Sequence, residues 1–296
     1  MISTPTTFVL GAGASSSFGF PTGLKLRTDI ISRLRSEPII QTLKELNFSA
    51  DDISNFRDAF LQSGKVSVDA FLEHRTEYLE IGKAAIAEAL IGHEHPAKPY
   101  EDGNNWLMSL YKLMNAAFDE FGNNKVSFVT FNYDRLLEYF LFNSLNHTYG
   151  KDQEDCRMAL KNIPIIHLHG RMGFLPWQSN DDTRPYSSTI NVDAIKVCMK
   201  NIKIIHEDIS DGRDKDFENA KRCIKQSERV YFLGFGYDET NMERLGVRDI
   251  PPGKALGTAY HIQGAAARKR IKAVAPNIDL VAWNHDCNEF LSQFVE

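Results

Sequence analysis

Apolar positions along the chain fall into two kinds of run, and their alternation sets the fold class. Short runs rich in Val, Ile, Phe or Tyr occupy 7–10, 126–130, 164–168, 229–233, 258–262 and 279–282, and most end at Gly, Asn or His. Continuous apolar stretches of this length, bounded by turn-forming residues, predict buried strands of a mainly parallel sheet. Helical periodicity follows several of them, at 133–145, 239–245, 265–275 and 287–295. Strands that alternate with helices predict an α/β fold: a doubly wound, mainly parallel, Rossmann-like sheet.

Two stretches interrupt the alternation. From about residue 24 to 122 no strand pattern occurs, and helical patterns run over 24–34, 38–46, 51–62, 68–90 and 105–121. Ser67 or Asp69 is placed to cap the fourth of these. The second interruption, about 171–228, begins as a loop with Pro176, Asn180 and Pro185 and continues into two predicted helices. With no repeat, low-complexity tract or linker, residues 1–296 read as a single domain whose two insertions cap its ligand edge.

Composition narrows the function classes. The chain has 296 residues, 43% of them hydrophobic and 25% charged, with a net charge of −5. Its acidic isoelectric point, near 6.0, argues against a nucleic-acid-binding surface spread over the whole protein. No apolar run approaches the roughly 20 residues of a membrane helix, and the N-terminus has no signal-peptide pattern. Cys156, Cys198, Cys223 and Cys287 are scattered and form no C-x-x-C pair, so neither a zinc module nor a disulfide framework is expected. A reducing cytoplasm is the expected compartment.

Candidate chemistry sits at the predicted strand ends, where open α/β sheets bind ligands. The first strand runs into Gly11-Ala12-Gly13-Ala14-Ser15. A loop of this kind lets backbone approach a phosphate closely. It departs from the dehydrogenase G-x-G-x-x-G pattern, since Ser16 holds the third glycine position and a helical region replaces the second strand. The second strand ends in Thr130-Phe131-Asn132-Tyr133-Asp134, the third in His167-Leu168-His169-Gly170, and the fourth in Gly234-Phe235-Gly236, with Asn241 following. Each also admits a plain structural reading: a turn that binds nothing, Asn132 as a helix cap, His169 as a hydrogen-bonded half-buried histidine, Gly234 and Gly236 as a turn.

The ordered set G-A-G-A-S, T-F-N-Y-D, L-H-G and G-F-G resembles the SIR2 family over residues 7 to about 290. That resemblance implies a dinucleotide-binding core that consumes NAD as its substrate. It places Gly11, Ala12, Gly13 and Ser15 against the pyrophosphate and neighbouring ribose. Thr130, Asn132 and Asp134 fall at the nicotinamide ribose and carboxamide, and His169 matches the family's general base. Gly234, Phe235 and Gly236 would line the adenosine side with Asn241 nearby, and Gln263, Asp286 and Cys287 fall where the family places adenosine contacts. Asn132 and His169 are the implied catalytic residues.

The departures from the family pattern matter as well. Gly19-Phe20-Pro21-Thr22-Gly23 lacks the Asp-Phe-Arg of the deacylase G-I-P-D-F-R motif, and no four-cysteine zinc module follows His169. The pattern is closer to bacterial zinc-free SIR2-like NADases of anti-phage defence. Hydrolysis of NAD+ to nicotinamide and ADP-ribose is the implied activity, with a protein deacylase and a non-catalytic NAD- or ADP-ribose-sensing module as alternatives. A depleting NADase must be held silent, and the chain is nearly all core plus insertions. Control by homo-oligomerisation or by a separate partner, such as an ATPase or an Argonaute-like protein, is therefore expected. No direct nucleic-acid or membrane partner is expected.

Three further features are given bland readings. His93, Glu94 and His95 are expected in an exposed loop rather than at a metal. Arg268, Lys269, Arg270 and Lys272 are expected on a solvated helix face. The acidic patch around Glu73 to Glu80 is a candidate face for a partner subunit.

Overall fold

The computed structural model describes residues 1–204, 215–260, 262, 264–281 and 283–295. Its strands are β1 (Thr6–Leu10), β2 (Val126–Thr130), β3 (Ile165–His167), β4 (Arg229–Leu233), β5 (Ala255–Gly257) and β6 (Ile278–Leu280). They form one six-stranded sheet in the order β3-β2-β1-β4-β5-β6, with every neighbouring pair parallel. This is the doubly wound order anticipated from the sequence, and its topological switch point lies between β1 and β4. Leu10 stands beside both Thr130 and Leu233, so the loops leaving β1, β2 and β4 emerge side by side.

Side-chain alternation along the strands builds a core on each face of the sheet. Phe8 and Leu10, Val126 and Phe128, and Tyr231 and Leu233 enter one cluster. Val9, Val129, Val230 and Phe232 enter the other. Phe8 packs between Phe128 and Tyr231, with ring centroids 5.6 and 5.4 Å away. The first cluster continues without a break into the inserted helices through Phe56, Phe60, Phe71, Leu107 and Leu110. The long insertion therefore shares its hydrophobic core with the sheet.

That insertion contains the helices Gly23–Arg33, Glu37–Glu45, Ala50–Gln62, Val68–Leu72, Leu79–Ile91, Lys98–Glu101 and Trp106–Leu113. The helix predicted across 68–90 is broken after Leu72. Arg75 leaves helical geometry at φ −130° and ψ 66°, and its guanidinium lies over the Tyr78 ring at 4.8 Å. Ser67, not Asp69, caps the first piece, accepting a hydrogen bond from the Ala70 N–H. The helix predicted over 105–121 stops at Leu113, and a short 3₁₀ segment at Phe118–Asn123 leads into β2. In Leu79–Ile91 every residue from Ile81 onward is buried, which makes it the central helix of the insertion.

The fifth strand lies earlier than the apolar run at 258–262 suggested. Pairing with β4 covers Ala255 to Gly257, and Thr258 then turns away to support the loop after β4. Its hydroxyl accepts from the Gly234 N–H at 2.9 Å and donates to the Phe232 carbonyl at 3.3 Å. The sixth strand is Ile278–Leu280 rather than 279–282. His261 and Ala282, which belong to these predicted runs, lie outside the described residues. Helices outside the predicted runs are Ala12–Ser16, directly after Gly11, Lys98–Glu101 and Gln153–Leu160. The second insertion carries the expected helices at Val192–Asn201 and Lys215–Gln226.

The polar segments given bland readings are more integrated than expected. Glu94 is fully buried, which corrects the exposed-loop reading of His93-Glu94-His95. Its carboxylate receives Nε and Nη2 of Arg135 at 3.0 and 2.5 Å, and Nη1 of Arg184 at 2.5 Å. Burial is tolerated because opposite charges and hydrogen bonds replace water. Glu73 lies 3.4 Å from Arg244 on the helix Glu239–Leu245, so part of the acidic patch is occupied within the molecule. Lys269 and Arg270 are exposed, as expected for a solvated face. Arg268 and Lys272 instead donate to the Val281 and Ile278 carbonyls at 3.2 and 2.8 Å. No helix among the described residues is long and apolar enough to cross a membrane.

Candidate functional site

Glycine loops from β1 and β4 interlock at the switch point. A Cβ on Gly11 would lie 2.6 Å from the Gly234 oxygen, and one on Gly234 would lie 2.0 Å from the Ala14 nitrogen. Gly234 also has φ +58°, a conformation that side chains disfavour. Gly11 N–H donates to the Leu233 carbonyl and Gly13 N–H to the Gly234 carbonyl. These two donors are thus spent on joining the loops. What the glycines provide is close backbone packing and an open wall.

That wall borders a cleft of about 880 Å³, near the upper end of the roughly 300–1,000 Å³ typical of ligand sites. Ala12, Gly13, Gly234, Phe235, Gly236, Asp286 and Cys287 all line it, as the sequence had grouped them. Ser16, Ser17, Thr22, Asn104 and Asn288 add polar groups, Lys98 a cation, and Phe18, Trp106 and Tyr260 aromatic surface. The Asp286 carboxylate has a structural duty here. It accepts from the Asn288 and Glu289 N–H groups at 2.8 and 2.9 Å and so caps the helix Cys287–Phe294. Burial, helped by neighbouring Asp286, pushes the Cys287 thiol up to about 12 and keeps it a neutral wall group.

A second cluster lies beneath the first glycine loop. Asn132 donates from Nδ2 to the Gly11 carbonyl at 3.0 Å and to the Ser15 hydroxyl at 3.2 Å. Its own N–H is accepted by the Thr130 hydroxyl at 3.0 Å. Ser15, Thr130, Asn132 and Asp134 surround a void of about 10 Å³, room for one water molecule at most. Trp106 lines both this void and the open cleft, and its indole donates to the Ala14 carbonyl at 2.6 Å. Burial pushes the Asp134 carboxyl up to about 6, against the hydrogen bonds it accepts from Ser15 and the Leu136 N–H.

The support under Asn132 involves residues that sequence reasoning passed over. His167 faces the Asn132 carbonyl through Nδ1 at 3.1 Å and Glu138 Oε1 through Nε2 at 2.7 Å. Burial alone would raise the Glu138 carboxyl, but the charge and hydrogen bond of His167, with Arg171 beyond, bring it down to about 2. Because a carbonyl can only accept, Nδ1 is the donor in the contact with Asn132, and Nε2 faces the Glu138 carboxylate on the other side. A visible signal was the lone acid in the apolar run Leu136-Leu137-Glu138-Tyr139-Phe140, which needs a partner if buried.

His169 occupies a third place on the same edge. Its carbonyl accepts from the Lys203 N–H at 2.9 Å. The next residue, Gly170, has φ +67°, and a Cβ there would lie 2.0 Å from the Asn201 oxygen. The imidazole sits between the rings of Phe131 and Tyr133, at centroid distances of 5.6 and 6.1 Å. Phe131 in turn meets the cleft residue Phe235 edge-on at 5.0 Å. His169 is therefore separated from the main cleft by the Phe131–Phe235 contact. Asn241 lies on the helix Glu239–Leu245, where its N–H bonds the capping Asp238, and it does not border the cleft. Gln263 lies outside the described residues.

All four cysteines are free, with Cys156, Cys198 and Cys287 buried. Among the described residues no group of three or more His, Cys, Asp or Glu is arranged to hold a metal. In comparisons with known proteins, the chain matches no family model and no curated protein.

Proposed function

We propose that this chain is a zinc-free, SIR2-like NAD+ hydrolase that releases nicotinamide and ADP-ribose. The observation that carries the reading is the convergence of four motif-bearing strand ends on one sheet edge, beside a cleft large enough for a dinucleotide. The backbone wall at Gly13 and Gly234 suits a pyrophosphate, with the Ser16 and Ser17 hydroxyls and the Lys98 ammonium as polar partners. Aromatic surface at Phe18, Trp106 and Tyr260 suits a base or ribose face.

The bond to be broken joins ribose to a cationic pyridinium, so the leaving group needs no general acid. Its departure gives the ribose oxocarbenium character, as in glycoside hydrolysis. The protein must hold the ribose and carboxamide and direct water to the exposed carbon. In this reading Asn132 contacts the ribose, Asp134 accepts from the carboxamide N–H, and His169 takes a proton from a ribose hydroxyl or water. His169 does not line the cleft, and Phe131 packs against both His169 and the cleft residue Phe235.

Turnover of NAD+ by the purified protein, alone and with its neighbouring gene products, tests the assignment. His169→Ala and Asn132→Ala are expected to stay folded and lose most activity, on the scale of the ~10²–10⁴-fold typical of acid–base catalysis. The same reading makes the protein a cytoplasmic effector that depletes NAD+ during phage infection. Self-association or a separate ATPase or Argonaute-like partner would hold it silent.

A second reading is favoured by one specific observation. The Asn132 amide is already engaged by Gly11 and Ser15, and His169 lies off the cleft. Such an arrangement suits a module that binds NAD or ADP-ribose without cleaving it. Tight NAD binding with no turnover under any activating condition would select this alternative.

A further inference from the structure

His169 Nδ1 is buried and has no hydrogen-bond partner among the described residues. A buried polar atom left unpaired has given up water without replacing it, so each such atom requires a reason. Here a carboxylate stands just out of reach: Asp69 Oδ1 is 3.6 Å from His169 Nδ1. That is longer than a hydrogen bond. Contacts between an acid–base histidine and its orienting group are often long before substrate is in place, and a small side-chain rotation closes this one.

Asp69 is held for that role from several directions. The Tyr133 hydroxyl, from the T-F-N-Y-D segment, donates to the same Oδ1. Asp69 belongs to the short helix Val68–Leu72, which buries Val68, Phe71 and Leu72 and is capped by Ser67. Just beyond that helix, Glu73 pairs with Arg244 across the sheet edge. The Asp69 side chain remains 22% exposed, so its charge keeps contact with water while one oxygen faces the imidazole.

We propose that Asp69 is the positioning residue for His169. A carboxylate accepts and cannot donate, so its approach fixes the proton on Nδ1 and leaves the Nε2 lone pair as the base. This assignment rests on the hydrolase reading for its catalytic meaning. It also gives the long insertion a chemical role, since the inserted helices orient a histidine that the α/β core supplies.

The test combines kinetics with ¹⁵N-histidine NMR of the full chain. Asp69→Asn is expected to lower kcat for NAD+ about 10- to 100-fold, at or below the lower end of the ~10²–10⁴-fold that acid–base groups themselves contribute, with KM changed less than about twofold. Asp69→Glu should recover part of the loss. In the NMR arm, wild-type His169 is expected as the Nδ1–H tautomer, and Asp69→Asn should give a tautomer mixture. Asp69→Ser carries the same readout if the asparagine variant does not fold. An unchanged His169 spectrum on removing the carboxylate would overturn the proposal, whether or not the protein turns over NAD+. Absence of turnover by the wild type under activating conditions overturns the hydrolase reading instead, and the spectra still decide the Asp69–His169 link.

Discussion

Glu94 shows how much one carboxylate can organise. Arg135 directs all five of its N–H donors inward, to Glu94 and to the carbonyls of Phe174, Arg184 and Pro185. Arg184 adds Glu94 and the Ser187 carbonyl. One acid from the first insertion thus fixes the loop that opens the second. Removing its charge would leave two buried guanidinium groups facing a neutral amide. Glu94→Gln is expected to cost about 3–5 kcal/mol, read as a lowered urea midpoint with unchanged slope. Asp134 carries the opposite kind of strain. Its folded value of about 6 lies above the unfolded ~3.9, so the native state holds the proton more tightly. Its stabilising contribution is complete below about pH 4 and is lost as pH rises through about 6. Asp134→Asn should remove that part of the pH dependence, so wild type and variant should diverge across this window in unfolding measurements.

At the scale of elements, the interlocked loops after β1 and β4 make a sharp comparison available. Gly234→Ala places a methyl against Ala14 and forces a side chain to φ +58°. It should destabilise the fold by about 3 kcal/mol or more. Gly236 lines the cleft, yet a Cβ there meets nothing within 4 Å among the described residues. Gly236→Ala should unfold within about 1 kcal/mol of wild type, and any loss of ligand binding it causes reports on the cleft itself. The contrast also shows what sequence could convey. The strands and the doubly wound, mainly parallel fold class followed from apolar runs and their alternation with helices, because buried parallel strands must be apolar on both faces. The glycines stood out as special, but their packing on each other is a tertiary fact with no local signature. Thr258 shows the same limit. It read as the start of a strand because it opens the short run 258–262, whereas the structure spends its hydroxyl on the Gly234 loop. The break near Arg75 was hidden for a related reason. Periodicity continues across it, and a guanidinium stacked on Tyr78 decides the geometry.

At the scale of the whole molecule, the inserted helices are part of the working edge. They share the core with the sheet through Phe56, Phe60 and Phe71, and they carry Asp69 to His169 and Glu73 to Arg244. The sequence singled out Asn132 and His169 by motif, and seven of the other residues it named line the open cleft. It did not show that these residues divide between an open cleft, a tight cluster under the first loop, and a histidine behind Phe131. The contacts of His167, Glu138 and Asp69 at this edge were not legible, because their partners lie 29 to 100 residues away in the chain. That division makes catalysis, rather than binding alone, the claim most exposed to test. The direct measurement is the time course of nicotinamide and ADP-ribose release from NAD+ by purified protein, alone and with its neighbouring gene products, beside folded His169→Ala. The account predicts stoichiometric release of both products by wild type and near-complete loss in the variant. Intact NAD+ under every condition, or equal release by His169→Ala, would contradict it.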